Sequence, residues 1–260
     1  MLLAIPRHLA IAATVAGCCA HRFERPATLL TDADDVAARA RRSGEAVQAF
    51  EYRTRVSYYG EGGARKGDVD VVGARPAKLR FEALTPTDDT VAVLATDGER
   101  FMSHERGQDV CYTGEACARN IARLLPLAFE GKDLFEVLVG GAALIAHESA
   151  TVSWDDCEGV YILELVHGDV REVLWLRPDT FGPLRVRLLR GGDELWRLEH
   201  DDFETVDGHL LPRTLRFKAD AKDVDLELKV REVWLNGTPG DAPFAPQCPE
   251  GTRQEELPCR

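Results

Sequence analysis

The chain lacks an excess of positive charge. Its 32 Lys+Arg stand against 44 Asp+Glu, a net charge of −12 over 260 residues. A nucleic-acid binder needs a basic face to neutralise phosphates, and a polybasic membrane grip needs one for anionic headgroups, so both classes are disfavoured. Methionine is scarce at two residues, whereas cysteine reaches seven, a usage that suits an oxidising compartment. A Walker loop, an HExxH helix, a GxSxG elbow and a dinucleotide fingerprint are all missing. The composition, 45% hydrophobic and 29% charged with 22 Gly and 13 Pro, is that of an ordinary globular chain and excludes disorder and collagen-like structure. The apolar leader at residues 9–17 is too short for the ~20 residues that cross a bilayer.

That leader is nonetheless informative. Arg7 and His8 precede an Ala-rich run that fits the core of a secretory signal, although Leu2, Leu3 and Ile5 come before the first positive charge. Val15-Ala16-Gly17-Cys18 has the pattern of a bacterial lipobox: an aliphatic residue, two small residues, then cysteine. The Cys18 thiol would accept a diacylglyceryl group and its freed amine a third chain, and two or three chains anchor stably where one does not. The bland alternative is ordinary signal cleavage beside a chance cysteine. Position 19 is Cys rather than Asp, which under the enterobacterial sorting rule leans toward the outer membrane. The expected organisation is a signal peptide at 1–17, a tether at 18–31, one domain at 32–236 and a Pro-rich tail at 237–260.

Six further cysteines, 19, 111, 117, 157, 248 and 259, permit about 15 connectivities. Proximity in sequence favours Cys111–Cys117 and Cys248–Cys259, leaving Cys157 for Cys19 or free. Their spacing is not that of a zinc site, and neither a metal nor a cofactor is expected.

Acidic Asp32, Asp34 and Asp35 ahead of Arg39, Arg41 and Arg42 predict a helix from 32 to about 50. The period then becomes two. Tyr52, Thr54, Val56 and Tyr58 alternate with polar residues, as do Val69 and Val71, then Leu79, Phe81 and Ala83. Strands at 91–95 and 100–103 follow, joined by an Asp97-Gly98 turn. Short helices are expected at 118–125 and 134–139. Strands resume at 160–167, 172–177, 184–190, 194–203, 213–219 and 224–235, the last with Val224, Leu226, Leu228 and Val230 on one face. This order predicts a mainly β protein with some α: a single curved antiparallel sheet forming an open, unclosed barrel, covered by an N-terminal helix and two short central helices. Cavity-lining candidates are Tyr52, Val56, Leu79, Phe81, Val93, Phe101, Trp175, Leu184, Phe217 and Trp234, each of which could equally fill a core.

Three stretches carry a family resemblance. They are Pro76 to Pro86 with Leu94 to Phe101 around the Asp97-Gly98 turn; Leu134 to Gly141; and Leu174 to Arg185 with the later Gly208-His209-Leu210-Leu211-Pro212 turn. Together with the lipobox, their order resembles the LolA/LolB lipoprotein-localisation superfamily. The resemblance implies an apolar half-barrel cavity that takes acyl chains by burial alone, at about 0.8 kcal/mol per methylene. It implies an outer-membrane, periplasm-facing lipoprotein without catalysis, partnered by lipid or lipoprotein acyl chains and by a periplasmic carrier protein. One departure stands out. The family's membrane-anchored acceptor bears an exposed Leu in the loop that here reads Leu84-Thr85-Pro86-Thr87-Asp88-Asp89. Pro86 and Thr87 become the membrane-facing loop candidates, but two acids at the tip oppose insertion.

Two rival readings remain. An enzyme would have to use His200-Asp201-Asp202, or the isolated pairs His147-Glu148, His104-Glu105 and Asp155-Asp156, all of which read more simply as solvated acidic loops. A non-catalytic envelope scaffold or sensor would use the same fold to bind a protein partner.

Overall fold

The computed structural model describes Cys19, residues 22–60, 63–123, Leu127 and residues 129–259; the leader and Cys18 lie outside the described residues. Helix α1 (Ala33–Arg42) opens the fold. Strands β1 (Ala49–Gly60), β2 (Gly63–Ala74), β3 (Lys78–Leu84), β4 (Thr90–Thr96), β5 (Arg100–Glu105) and β6 (Val110–Glu115) follow. Helices α2 (Ala118–Ile121) and α3 (Gly131–Leu138) interrupt the strands. The second half holds β7 (Ser149–Asp155), β8 (Val160–His167), β9 (Val170–Leu176), β10 (Pro183–Arg190), β11 (Asp193–Val206), β12 (His209–Ala219) and β13 (Val224–Leu235). A late strand, β14 (Arg253–Leu257), ends the chain. The strands form one 14-stranded sheet in the order β14-β6-β5-β4-β3-β2-β1-β13-β12-β11-β10-β9-β8-β7. Its edges, β14 and β7, do not pair, so the sheet is open as expected. Sheets of more than ~10 strands curl. Every neighbour is antiparallel except β14, which runs parallel to β6.

Helix α1 begins where its charges predict, with Asp32 accepting from the backbone N–H groups of Asp34 and Asp35. It stops at Arg42 rather than near residue 50. Gly44 is the cause: a Cβ there would meet Glu136 Oε2 at 2.5 Å and the Gly141 Cα at 3.2 Å. The chain turns at this close approach, and Phe50 enters β1 instead. Residues 124–126, at the end of the second expected helix, lie outside the described residues.

Helix α3 lies against the concave face. Leu134, Phe135, Val137 and Leu138 are buried, with the Phe135 ring 5.3 Å from that of Phe50. Ahead of it, Phe129 packs edge-on against Trp196 and Phe217 at 5.2 and 6.0 Å. One ion pair pins the helix. Arg75 bonds both carboxylate oxygens of Glu136, donates from Nε to the Val47 carbonyl at 2.8 Å, donates from Nη2 to the Gly44 carbonyl at 2.7 Å, and stacks on Phe135. Four segments are thus tied at one guanidinium. His200 adds a second strut. Its Nδ1 lies 3.0 Å from the Pro183 carbonyl and its Nε2 3.0 Å from the Val137 carbonyl. Burial holds its pKa below the ordinary value. His200 is therefore a core residue, which corrects the expectation of a solvated loop.

The outer face of β3–β6 has its own cover. Ala95, Met102 and Cys111 form a small buried cluster beneath Val93 and Cys248, and Phe244 is 1% exposed. The Pro-rich tail returns across this face and pairs with β6. The disulfides are Cys19–Cys157, Cys111–Cys248 and Cys117–Cys259. The Cys111–Cys117 and Cys248–Cys259 pairings are thereby corrected. An extended strand of about 3.3 Å per residue separates the members of each expected pair, well past the ~7 Å limit between bridged Cα atoms. All four cysteines are bridged, with partners exchanged between β6 and the tail.

Two outcomes follow from this packing. Replacing Arg75 with Met leaves the Glu136 carboxylate buried without its partner and should cost about 3 kcal/mol in chemical denaturation. The double variant Arg75→Met/Glu136→Leu should be less destabilised than Arg75→Met alone. Glu172 supplies the second. It is buried on β9, accepts from the Ile145 N–H at 3.0 Å, and desolvation raises its pKa from 4.5 to about 8. The folded state then holds a proton between pH 4.5 and 8 that the unfolded state has released, so this group's contribution falls as pH rises through that window. Glu172→Gln keeps the acceptor and removes the titration. Its stability relative to the parent should rise from pH 5 to pH 8 by on the order of 3 kcal/mol, measured by denaturant melts.

Candidate functional site

The strand register shows where the concave face is filled and where it is not. One cross-strand row is bulky: Tyr52, Val71, Phe81 and Leu94 face one another on β1 to β4. The next row toward the β1–β2 turn is smaller: Thr54, Val69, Ala83 and Ala92. Beyond it, Val56 faces Gly67. Side chains shrink row by row, and space opens at that end.

Two glycines on the same face of β2 make the contrast plain. A Cβ on Gly73 would strike the Phe50 ring at 2.4 Å, whereas a Cβ on Gly67 would meet nothing within 4 Å. Glycine inside a strand often marks the close approach of another molecule. The space over Gly67 is a cavity of about 660 Å³, floored by Val56, Tyr58, Val69, Ala83 and Leu226. That volume is in the range of small-molecule sites, roughly 300–1,000 Å³. Its rim is charged, with Arg65, Glu105, Arg106 and Arg123. The Arg123 guanidinium sits 4.0 Å over the Tyr112 ring, at the end of the segment that α2 begins.

Most residues expected to line a cavity lie elsewhere. Val56 does line it. Tyr52, Leu79, Phe81, Phe101 and Phe217 are 0–3% exposed in the solid core; burial pushes the Tyr52 phenol pKa up, and its hydroxyl donates to the Leu138 carbonyl at 3.4 Å. Val93, Trp175 and Trp234 are turned to the other face. Val93 lies under the tail, Arg185 stacks over Trp175 at 4.9 Å, and Trp234 is 50% exposed. Leu184 is half-buried at a register break in β10. Pro86 and Thr87 are exposed at the tip of the β3–β4 turn. The flanking Leu84 and Val91 line the cavity, so this tip stands at its mouth. Asp201 pairs with Arg216, and Asp202 accepts from the Thr214 hydroxyl at 2.6 Å. The residues that sequence reasoning missed are Gly67, Ala83, Ala92 and the rim arginines. The small residues are legible at Gly67, near the β1–β2 turn, and at Ala83 and Ala92, either side of the β3–β4 turn.

The N-terminal tether meets the body at the opposite strand ends. The Cys19–Cys157 bridge, the Phe23 N–H to Asp156 carbonyl bond of 2.7 Å and the Arg25–Asp156 ion pair fasten it to the β7–β8 turn. The Arg25 hydrogen bond holds the Asp156 carboxyl below its ordinary pKa. The strands that end at the cavity mouth are those of the β1–β2, β3–β4 and β5–β6 turns. In the antiparallel order the β7–β8 turn lies at the opposite strand ends from these three turns.

No family model matches the sequence, and no curated protein matches it. Solved structures do match in fold. A DUF1329 family protein from Desulfovibrio piger superposes with a TM-score of 0.62 at 14% identity, over 82% of this chain and 95% of the other. A domain described as an outer membrane lipoprotein-sorting protein from Vibrio parahaemolyticus gives 0.59 at 12%, over 82% and 97%. A LolA superfamily protein from Nitrosomonas europaea gives 0.53 at 11%, over 84% and 98%. The open, helix-plugged sheet of this chain is therefore the fold that these three proteins share.

Proposed function

We propose that the protein is an envelope lipoprotein, anchored through Cys18 to the outer membrane and facing the periplasm, that holds acyl chains in the cavity over Gly67. It assists lipid or lipoprotein localisation and does no covalent chemistry. The observation that carries this reading is the space over Gly67, an apolar floor beside a row of large buried side chains. Burial of methylenes there would supply the affinity, at about 0.8 kcal/mol each. The fold shared with a lipoprotein-sorting domain supports it. With the tether fastened at the far strand ends, the mouth would point away from the anchoring membrane, toward a carrier delivering cargo. The acidic Asp88-Asp89 tip fits that orientation, because it would not have to enter the bilayer.

The test uses the full chain with Cys18→Ser, which removes the acylation site and the need for detergent. Purified from the periplasm of a host bacterium and extracted with organic solvent, it should yield near-stoichiometric acyl lipid by mass spectrometry. Adding Gly67→Trp, which fills the cavity on extended backbone, should cut the bound lipid at least severalfold without lowering the melting temperature. A lipid-free, folded protein that also refuses added acyl probes would overturn the reading and favour a protein-binding scaffold.

A further inference from the structure

Most arginines of this acidic chain rest on a carboxylate: Arg55 on Asp68, Arg80 on Glu82, Arg187 on Glu194, Arg216 on Asp201 and Glu227. The rim of the cavity is different. Arg65 and Arg106 form no ion pair with any described residue, and Arg123 is held only by its stacking on Tyr112. All three side chains are exposed. Among the described residues, Glu105 is the one carboxylate aimed into the mouth, from β5, where it faces Ala92. Asp68 also borders the cavity, but its carboxylate is engaged on the outer face by Arg55 and Arg231. Asp88 and Asp89 lie farther out, on the turn, and do not line it.

Folding does not explain this cluster. Three like charges around one opening repel one another, and a chain with a surplus of acids has carboxylates to spare. The arrangement fits an anionic group at the cavity mouth. Guanidinium forks bind carboxylate and phosphate in bidentate fashion. A carboxylate has two oxygens to share among three forks, whereas a phosphate monoester presents three. An apolar floor beneath a cationic rim is complementary to an amphiphile.

We infer that the cavity takes a phosphate-headed lipid, its chain against Val56, Val69 and Leu226 and its phosphate among Arg65, Arg106 and Arg123. This rests on the acyl-binding reading above and names the class of ligand.

Three probes test it on the full chain carrying Cys18→Ser, below their micelle concentrations: dodecyl phosphate, monododecanoylglycerol and inorganic phosphate, each competing with a fluorescent acyl probe. Dodecyl phosphate should compete about tenfold better than the uncharged monododecanoylglycerol, and inorganic phosphate should not compete. In Arg65→Gln/Arg106→Gln/Arg123→Gln the preference should vanish while the affinity for monododecanoylglycerol is kept. Added salt should weaken dodecyl phosphate alone in the parent, a readout that needs no variant. Equal binding of the two dodecyl compounds, or a preference that survives the triple change, would overturn the inference and leave the acyl reading standing. Competition by inorganic phosphate at the same concentration would also overturn it, as a free-anion site. Failure of both dodecyl compounds would sink the acyl reading and this inference together.

Discussion

The concave face of a 14-stranded sheet is an apolar surface that must be kept from water, and only a few short helical turns are available to cover it. The Arg75–Glu136 pair decides where that cover goes. It ties α3 to the turn after α1, to the approach of β1 and to the end of β2, all at one end of the strands. Around this point Phe50, Phe135 and Tyr52 close into a solid core. Toward the β1–β2 and β3–β4 turns the inward side chains of the sheet diminish. The cavity is the consequence of a plug fixed at one end.

The outer face obeys the same constraint by different means. Where β3 to β6 would expose Ala95 and Met102, the tail is laid across them and bolted by Cys111–Cys248 and Cys117–Cys259. Cys117 is also the residue that precedes α2, so the second bridge fixes the start of the segment that carries Arg123. Elsewhere the outer face is a lattice of exposed ion pairs, such as Arg216 with Asp201 and Glu227. Such pairs contribute little each, at most about 1 kcal/mol, and keep that face soluble rather than sticky.

Much of this was legible beforehand, for a physical reason: a half-buried strand writes its register into a period of two. The strand at Val224–Leu235 came out with the bounds its alternation predicts, and the unclosed sheet followed from the strand count. What failed was the inference from large aromatics to a cavity. Phe81, Phe101 and Phe217 point inward as expected, but large side chains fill space, and here they meet α3 and its leading segment. The cavity is marked by what is small, Gly67, Ala83 and Ala92, and smallness carries no hydrophobic signal. The disulfide pattern was illegible for another reason. Closeness along the chain says little once a strand stands between two cysteines, and the pairing partner of Cys111 lies 137 residues away. His200 looked like part of an acidic loop because its neighbours Asp201 and Asp202 are exposed, yet the alternation of β11 turns it into the core.

The central claim is that the open end of the sheet, and not its outer face, receives an acyl chain. Photocrosslinking tests it most directly: a fatty acid carrying a diazirine along its chain is equilibrated with the protein, illuminated, and the labelled peptides are sequenced. The account predicts labels concentrated on β1, β2, β3 and the start of β13, at residues such as Val56, Val69, Ala83 and Leu226. Labels gathered instead around Trp234 and Trp175 on the outer face, or spread evenly over the surface, would contradict it.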